Sequence, residues 1–189
     1  DAAAGVQRHR ELKPYHLGGR IRPERSALGR GAAAGVGVRR EGVQRRQVRG
    51  AVALDFLRGE LGLMGTHTGC EHGLCGACTV RVDGKIVRGC LVLAASLDGA
   101  KVETIEGVSD SGEIRDLQDA FVARNACQCG YCTPGMLLTA ADLLAANAKP
   151  TREEIREHLS GNYCRCTGYH AIVDAVAATL EARAKDGGP

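Results

Sequence analysis

There is no tryptophan in this 189-residue chain, and with two Phe and four Tyr its aromatic content is 3%. A core here must be built from Ala, Leu, Val and Ile, without the large buried area that rings supply. Small domains with thin cores commonly rely on metal or disulfide staples. Long apolar runs are missing too. No stretch reaches the roughly 18 to 20 apolar residues that cross a bilayer, so no membrane span is expected. The leading residues are basic but lack the apolar region, about 7 to 15 residues long, of a secretory signal. Arg39-Arg40 and Arg45-Arg46 lack it as well, which leaves them weak evidence for a twin-arginine signal. The expected location is the cytoplasm, where clustered cysteines serve metals or catalysis rather than disulfides.

Acidic residues are scarce at the start of the chain. Residues 1–50 carry 12 Arg and Lys against 4 acidic residues, a net +8, whereas the remainder carries 13 against 18, a net −5. The overall charge of +3 therefore belongs to the leading segment. Residues 1–33 show neither helical nor strand periodicity, and three readings fit them. They read as a disordered basic tail, as a nucleic-acid-binding arm, or as GC-rich DNA translated from a wrong start or frame. The arm lacks the interleaved aromatics that stack on bases, so nucleic acid is not an expected partner.

Further along, Val36 and Val38 alternate and Val43 to Val48 would return, a hairpin expectation. Apolar residues from Val52 to Leu63 predict a short helix ending near Gly62. Strands are expected at Cys78–Val82 and Ile86–Leu93, joined by the hairpin signal Asp83-Gly84, with another at Lys101–Ile105. The segment Glu106–Gly112 reads as a linker. Four helices follow. Ile114, Leu117 and Phe121 mark the first, and Thr133-Pro134 opens the second with Thr133 as N-cap. Thr151 and Glu154 form a capping box for the third, and the fourth carries Ile172, Val173, Val176 and Leu180 on one face. The expected class is α+β, with a small sheet domain over residues 34–105 and a helical domain over 113–183.

Nine cysteines are what the chain has in excess, about 5% of residues, which is below a disulfide scaffold. Cys70, Cys75 and Cys78 are spaced C-x4-C-x2-C, and Cys90 follows on the far side of the Asp83-Gly84 hairpin. This is the spacing of a plant-type [2Fe–2S] site, in which thiolates hold two irons. Gly69, Gly73 and Gly76 let the backbone approach an anionic cluster and turn its N–H groups toward sulfur. A structural zinc site fits less well, because three ligands crowd one loop and the fourth stands alone.

The second group, Cys129-x2-Cys132 with Cys164-x-Cys166, is open between zinc and iron on spacing. Cys132 precedes a helix start, where free N–H groups favour an anionic cluster. A four-helix arrangement would bring the Cys164–Cys166 turn to the same end. Cys127 is left over and reads as a small buried residue. His67 and His72 flank the first loop but are not needed as ligands. No residue reads as a catalytic acid, base or nucleophile.

Three stretches together resemble a known family. They are Gly69-Cys70-Glu71-His72-Gly73-Leu74-Cys75-Gly76-Ala77-Cys78-Thr79-Val80, then Gln128-Cys129-Gly130-Tyr131-Cys132-Thr133-Pro134-Gly135-Met136, then Gly161-Asn162-Tyr163-Cys164-Arg165-Cys166-Thr167-Gly168-Tyr169. In this order they look like the small iron–sulfur subunit of molybdenum hydroxylases, the relatives of xanthine dehydrogenase, aldehyde oxidase and aerobic carbon monoxide dehydrogenase. The resemblance covers roughly residues 52–182.

The resemblance implies a β-grasp 2Fe-2S ferredoxin-like domain followed by a four-helix [2Fe-2S]-binding domain. It implies two [2Fe–2S] clusters, held by Cys70, Cys75, Cys78 and Cys90 and by Cys129, Cys132, Cys164 and Cys166. It also implies a large partner subunit with molybdopterin and a medium one with FAD. Electrons would pass from molybdenum through the helical-domain cluster, then the ferredoxin-like cluster, to flavin. Gln128 and Cys166 match positions facing the pterin, and the substrate belongs to the large subunit. A freestanding two-cluster carrier is the alternative. The chain departs from the family where Val36-Gly37-Val38-Arg39-Arg40 stands for its opening hairpin and where Cys127 replaces an aliphatic residue.

Overall fold

The computed structural model describes residues 36–37, 50–147 and 149–185. The expected tail at 1–33 and most of the expected 36–48 hairpin lie outside the described residues. Within them the chain is of mixed helix and sheet, the α+β class expected. The sheet comes first, in the order β1-β4-β2-β3. Its strands are β1 (Val36–Gly37), β2 (Thr79–Val82), β3 (Lys85–Arg88) and β4 (Lys101–Glu103). β2 and β3 form an antiparallel hairpin with Val80 opposite Val87, and β4 pairs antiparallel with both β1 and β2. Asp83 and Gly84 at the hairpin tip both adopt positive φ, +47° and +80°. A two-residue turn that matches strand twist requires this, and Asp-Gly supplies it at low cost.

Before the hairpin, α1 (Ala53–Asp55) runs into a π-helical stretch, Phe56–Glu60. Ala53, Leu54, Phe56 and Leu57 are buried there. Ala53 and Leu57 pack on Val80, Leu97 and Val102, a core of small aliphatic side chains as the composition demanded. The second expected strand is shorter than the sequence implied. β3 stops at Arg88, and Gly89 and Cys90 turn away, so Cys90 sits beyond the strand rather than on it. The turn is pinned from outside the hairpin. Leu54 N–H donates to the Gly89 carbonyl at 3.1 Å and Ala53 N–H to the Val92 carbonyl at 2.7 Å.

The helices are α2 (Ile105–Asp110), α3 (Arg115–Ala123), α4 (Thr133–Ala146), α5 (Arg152–Leu159) and α6 (His170–Lys185). α2 corrects the linker expected at Glu106–Gly112. Val108 is buried on the helical core and Glu106 is anchored, which outweighs the weak helix propensity of Gly107 and Ser109. Glu106 accepts from Gly65 N–H at 2.7 Å and from the Thr104 hydroxyl at 2.6 Å.

The other four helices stand where the apolar periodicity places them. Leu117, Phe121, Met136, Leu138, Ile155, Leu159 and Ile172 form their common core, each at most 2% exposed. Burying each such side chain stabilises by about 1.5 to 3 kcal/mol. Both halves of the Thr151–Glu154 capping box form. The α4 start differs from expectation, since Cys132 occupies the N-cap and Thr133 the first helical position. Among the described residues, no helix is long and apolar enough to cross a membrane.

Candidate metal centres

The first cysteine group is a loop folded around its own sulfurs. His67 N–H donates to the Ala77 carbonyl at 3.1 Å and closes the loop at its base. Inside, Cys75 N–H points at Cys70 Sγ at 3.3 Å. That amide, with those of His72 and Leu74, holds the Cys70 thiol down to about 6. Such concave sets of N–H groups favour anions. Gly69 is required sterically, since a Cβ there would lie 2.6 Å from Cys75 Sγ.

On the inner side, Cys78 and Cys90 are buried together with Leu54. Burial pushes the Cys78 thiol up to about 11, reinforced by contact with Cys90. A buried thiol of that kind is inert alone, but a metal cation would deprotonate it outright.

The second group gathers from two turns. Cys129 and Cys132 lead into α4, while Cys164 and Cys166 lie between α5 and α6. The turns meet, with Cys166 Sγ 3.5 Å from Cys129 Sγ. The Tyr131 amide and the Cys166 thiol hold Cys129 below its ordinary value, and sharing that proton raises Cys166. Cys132 is pushed up to about 12 by burial and by contact with Cys164. Burial opposes ionisation of Cys164 too, but hydrogen bonds from Thr167, the Cys166 amide and the Cys132 thiol together keep its thiol below the usual range. Thr167 Oγ1 lies 3.1 Å from its sulfur.

Both groups thus share one pattern. The strongest interactions join Cys70 with Cys75, Cys78 with Cys90, Cys129 with Cys166 and Cys132 with Cys164, and weaker charge repulsion links Cys75 to Cys78 and Cys129 to Cys132. A tetrahedral zinc needs four sulfurs at about 2.3 Å from one point. A [2Fe–2S] cluster instead divides four thiolates between two irons. The paired thiols, inward amides and glycine-lined wall fit the dinuclear group.

The remaining candidates fall elsewhere. Gln128, Cys129 and Cys166 are exposed, so the second group opens to the surface. Cys127 is exposed rather than buried, accepting from the Thr133 hydroxyl at 3.4 Å. The chain turns outward at Ala126, which takes the buried position instead. His67 stacks on Tyr131 with ring centroids 4.6 Å apart, and its Nδ1 donates to the Tyr131 carbonyl at 2.7 Å. His72 Nδ1 bonds the Cys70 carbonyl.

Sequence reasoning assigned no role to Tyr169, although it stands in the third motif. Its φ is +68°, immediately after Gly168 at +61°. For a bulky residue this costs on the order of 1 to 3 kcal/mol. The conformation swings its hydroxyl back under the turn, where it accepts from Cys164 N–H at 3.0 Å and donates to the Asn162 carbonyl at 3.2 Å. The adjacent Gly168 was the signal that the backbone turns left-handed there.

Residues 104–177 match the family model of a [2Fe-2S] binding domain. Over 122 residues the chain is 55% identical to the nicotine 6-hydroxylase small subunit of Paenarthrobacter nicotinovorans, covering 65% of this chain and 73% of that protein. It is 45% identical over 139 residues to caffeine dehydrogenase subunit gamma of Pseudomonas sp. (strain CBB1), covering 72% and 83%. Quinoline 2-oxidoreductase from Pseudomonas putida 86 is similar in structure, with a TM-score of 0.68 and 46% identity over 74% of this chain and 87% of the matched one. With its cysteine motifs, paired thiols and these relatives, the chain belongs to the small iron–sulfur subunits of molybdenum hydroxylase-type oxidoreductase complexes.

Proposed function

We propose that the chain relays electrons through two [2Fe–2S] clusters between a molybdopterin site in a large partner subunit and FAD in a medium one. Cys70, Cys75, Cys78 and Cys90 hold one cluster within a β-grasp ferredoxin-like domain spanning residues 34–105. Cys129, Cys132, Cys164 and Cys166 hold the other within a helical domain spanning 113–183. When bound, the clusters supply one-electron carriage, and substrate chemistry stays with the partner's cofactor.

The gathering of four thiols in each group carries this reading, with Cys166 Sγ 3.5 Å from Cys129 Sγ and Cys78 buried beside Cys90. The chain's own residues would bind the clusters and direct amides at sulfur, and at the first group they would exclude water from Cys78 and Cys90. Cys78 and Cys90 are buried, whereas Gln128, Cys129 and Cys166 are open. The open side supports a partner bringing its pterin to the second group. Tyr131 and Tyr163 are half exposed near that group and Leu74 and Leu91 near the first, which favours a subunit over a freestanding carrier. We place the complex in the cytoplasm, where these eight cysteines would stay reduced for cluster binding.

Metal analysis of the chain purified with its partners tests the first step. About four irons and four sulfides per chain are expected, and a colourless zinc protein refutes the reading. Cys75→Ser should interrupt delivery to flavin while leaving reduction of the second group intact. Normal flavin reduction in rapid-mixing spectra would overturn the order.

A further inference from the structure

The two cysteine loops touch through one buried junction, and its centre is Asn162. This residue is 1% exposed. Its side-chain oxygen accepts from Arg88 at 3.1 Å and from the Thr139 hydroxyl at 3.2 Å. Its amide nitrogen faces the Gly76 carbonyl at 3.4 Å. Arg88, at the end of β3, also donates to the Gly161 carbonyl at 2.8 Å and to the Thr79 hydroxyl. The Gly76 carbonyl takes the Thr79 hydroxyl at 2.7 Å. A side chain at Gly76 would collide with Asn162 at 2.5 Å, and one at Gly135 with the Gly76 carbonyl at 2.3 Å. Loop, helix start and turn therefore meet backbone to backbone.

This packing has a product. Tyr163 N–H, next along from Asn162, donates to the Cys75 carbonyl at 2.8 Å. Cys75 belongs to the first group, and Tyr163 is bonded directly to Cys164 of the second. Among the described residues, this is the one backbone-to-backbone hydrogen bond between the two groups. Two other bridges, His67 Nδ1 to the Tyr131 carbonyl at 2.7 Å and the Tyr131 hydroxyl to the Thr68 carbonyl, each run through a whole side chain.

We propose that Asn162, braced by Arg88, is the positioning residue for electron passage between the two groups. It docks the Cys164 turn on the Cys75 loop and so holds Tyr163 N–H on the Cys75 carbonyl. The inference rests on the two-cluster reading above. The Asn162 side chain bonds Arg88, Thr139 and Gly76 rather than a cysteine sulfur, so it would act through the docking alone.

The test uses Asn162→Ala and the milder Arg88→Lys in the full chain purified with its partners. Iron per chain, the EPR signal of each cluster with its spin–spin splitting, and rapid-mixing reduction of each cluster are measured. In Asn162→Ala, passage from the second group to the first should slow roughly tenfold or more, the scale on which small misplacements of reacting centres are felt. The splitting should diminish in parallel, or the first group alone should lose iron. Arg88→Lys should show a smaller change with both sites loaded. Unchanged splitting and passage in loaded Asn162→Ala overturns the inference, as does equal loss of iron from both groups. If Asn162→Ala does not fold, unchanged behaviour of Arg88→Lys overturns it. Wild-type protein without iron refutes the two-cluster reading instead.

Discussion

His67 and Tyr131 stack with ring centroids 4.6 Å apart and planes 21° from parallel, one from each cysteine loop. The Tyr131 hydroxyl reaches on to the Thr68 carbonyl. This half-exposed clasp shares no hydrogen bond with the buried Asn162 junction. Tyr131→Phe keeps the stack and loses one hydrogen bond, a cost of about 0.5 to 1.5 kcal/mol. Tyr131→Ala loses the stack too, adding a similar amount. Urea unfolding midpoints of the two variants should separate in that order, and equal midpoints would show that the stack contributes nothing.

Gly135 and Gly59 should respond oppositely to alanine. Both substitutions gain about 0.5 to 1 kcal/mol of backbone entropy in a helical segment. At Gly59 the new Cβ has nothing within 4 Å, so Gly59→Ala is expected to be neutral or stabilising. At Gly135 the Cβ meets the Gly76 carbonyl at 2.3 Å and Asn162 Nδ2 at 3.1 Å. Overpacking of that kind costs about 1 to 3 kcal/mol and wins. Thermal melts with iron content measured alongside decide it. A Gly135→Ala protein as stable as the parent would mean that the junction yields.

Acid should weaken the attachment of α6 to α3. Arg183 grips Asp116 with two hydrogen bonds, at 2.6 and 3.0 Å, and holds its carboxyl below the usual carboxylate range. Glu113, which also faces Arg183, is held low by Arg81, with Lys101 adding to it. A carboxylate lowered in the folded state stabilises fully above its unfolded value, about 3.9 for Asp, and loses that contribution as pH falls through the folded value. The stability gap between wild type and Arg183→Ala should therefore be constant near pH 6 to 7 and narrow below about pH 4. Comparing the two proteins cancels acid effects on the thiols they share. The Asp116 pair is partly exposed, so the gap should also shrink in high salt. A gap that widens on acidification would contradict the assignment.

The sequence by itself determined the elements and the chemistry that local pattern encodes. Apolar spacing placed α3, α4, α5 and α6, Thr151 and Glu154 gave a capping box, and Asp83-Gly84 gave the hairpin, because each depends on neighbours a few residues away. The first cysteine motif was legible for the same reason, since one loop carries three of its four thiols. Where the pattern was read too locally it misled. Glu106–Gly112 became a helix because Val108 found a core and Glu106 found Gly65, and Cys127 turned outward because Ala126 took the inner place.

Tertiary structure decided how the thiols pair and how the two groups meet. Cys129 reaches Cys166, and Cys75 reaches Tyr163, across gaps in sequence that no periodicity spans. Asn162 lay in a motif that was plain to see, yet its role depends on Gly76, Gly135 and Arg88 arriving from three other elements. Sequence spacing named the sulfurs. Close packing of glycine backbones around one buried amide decided how the two loops that carry them meet.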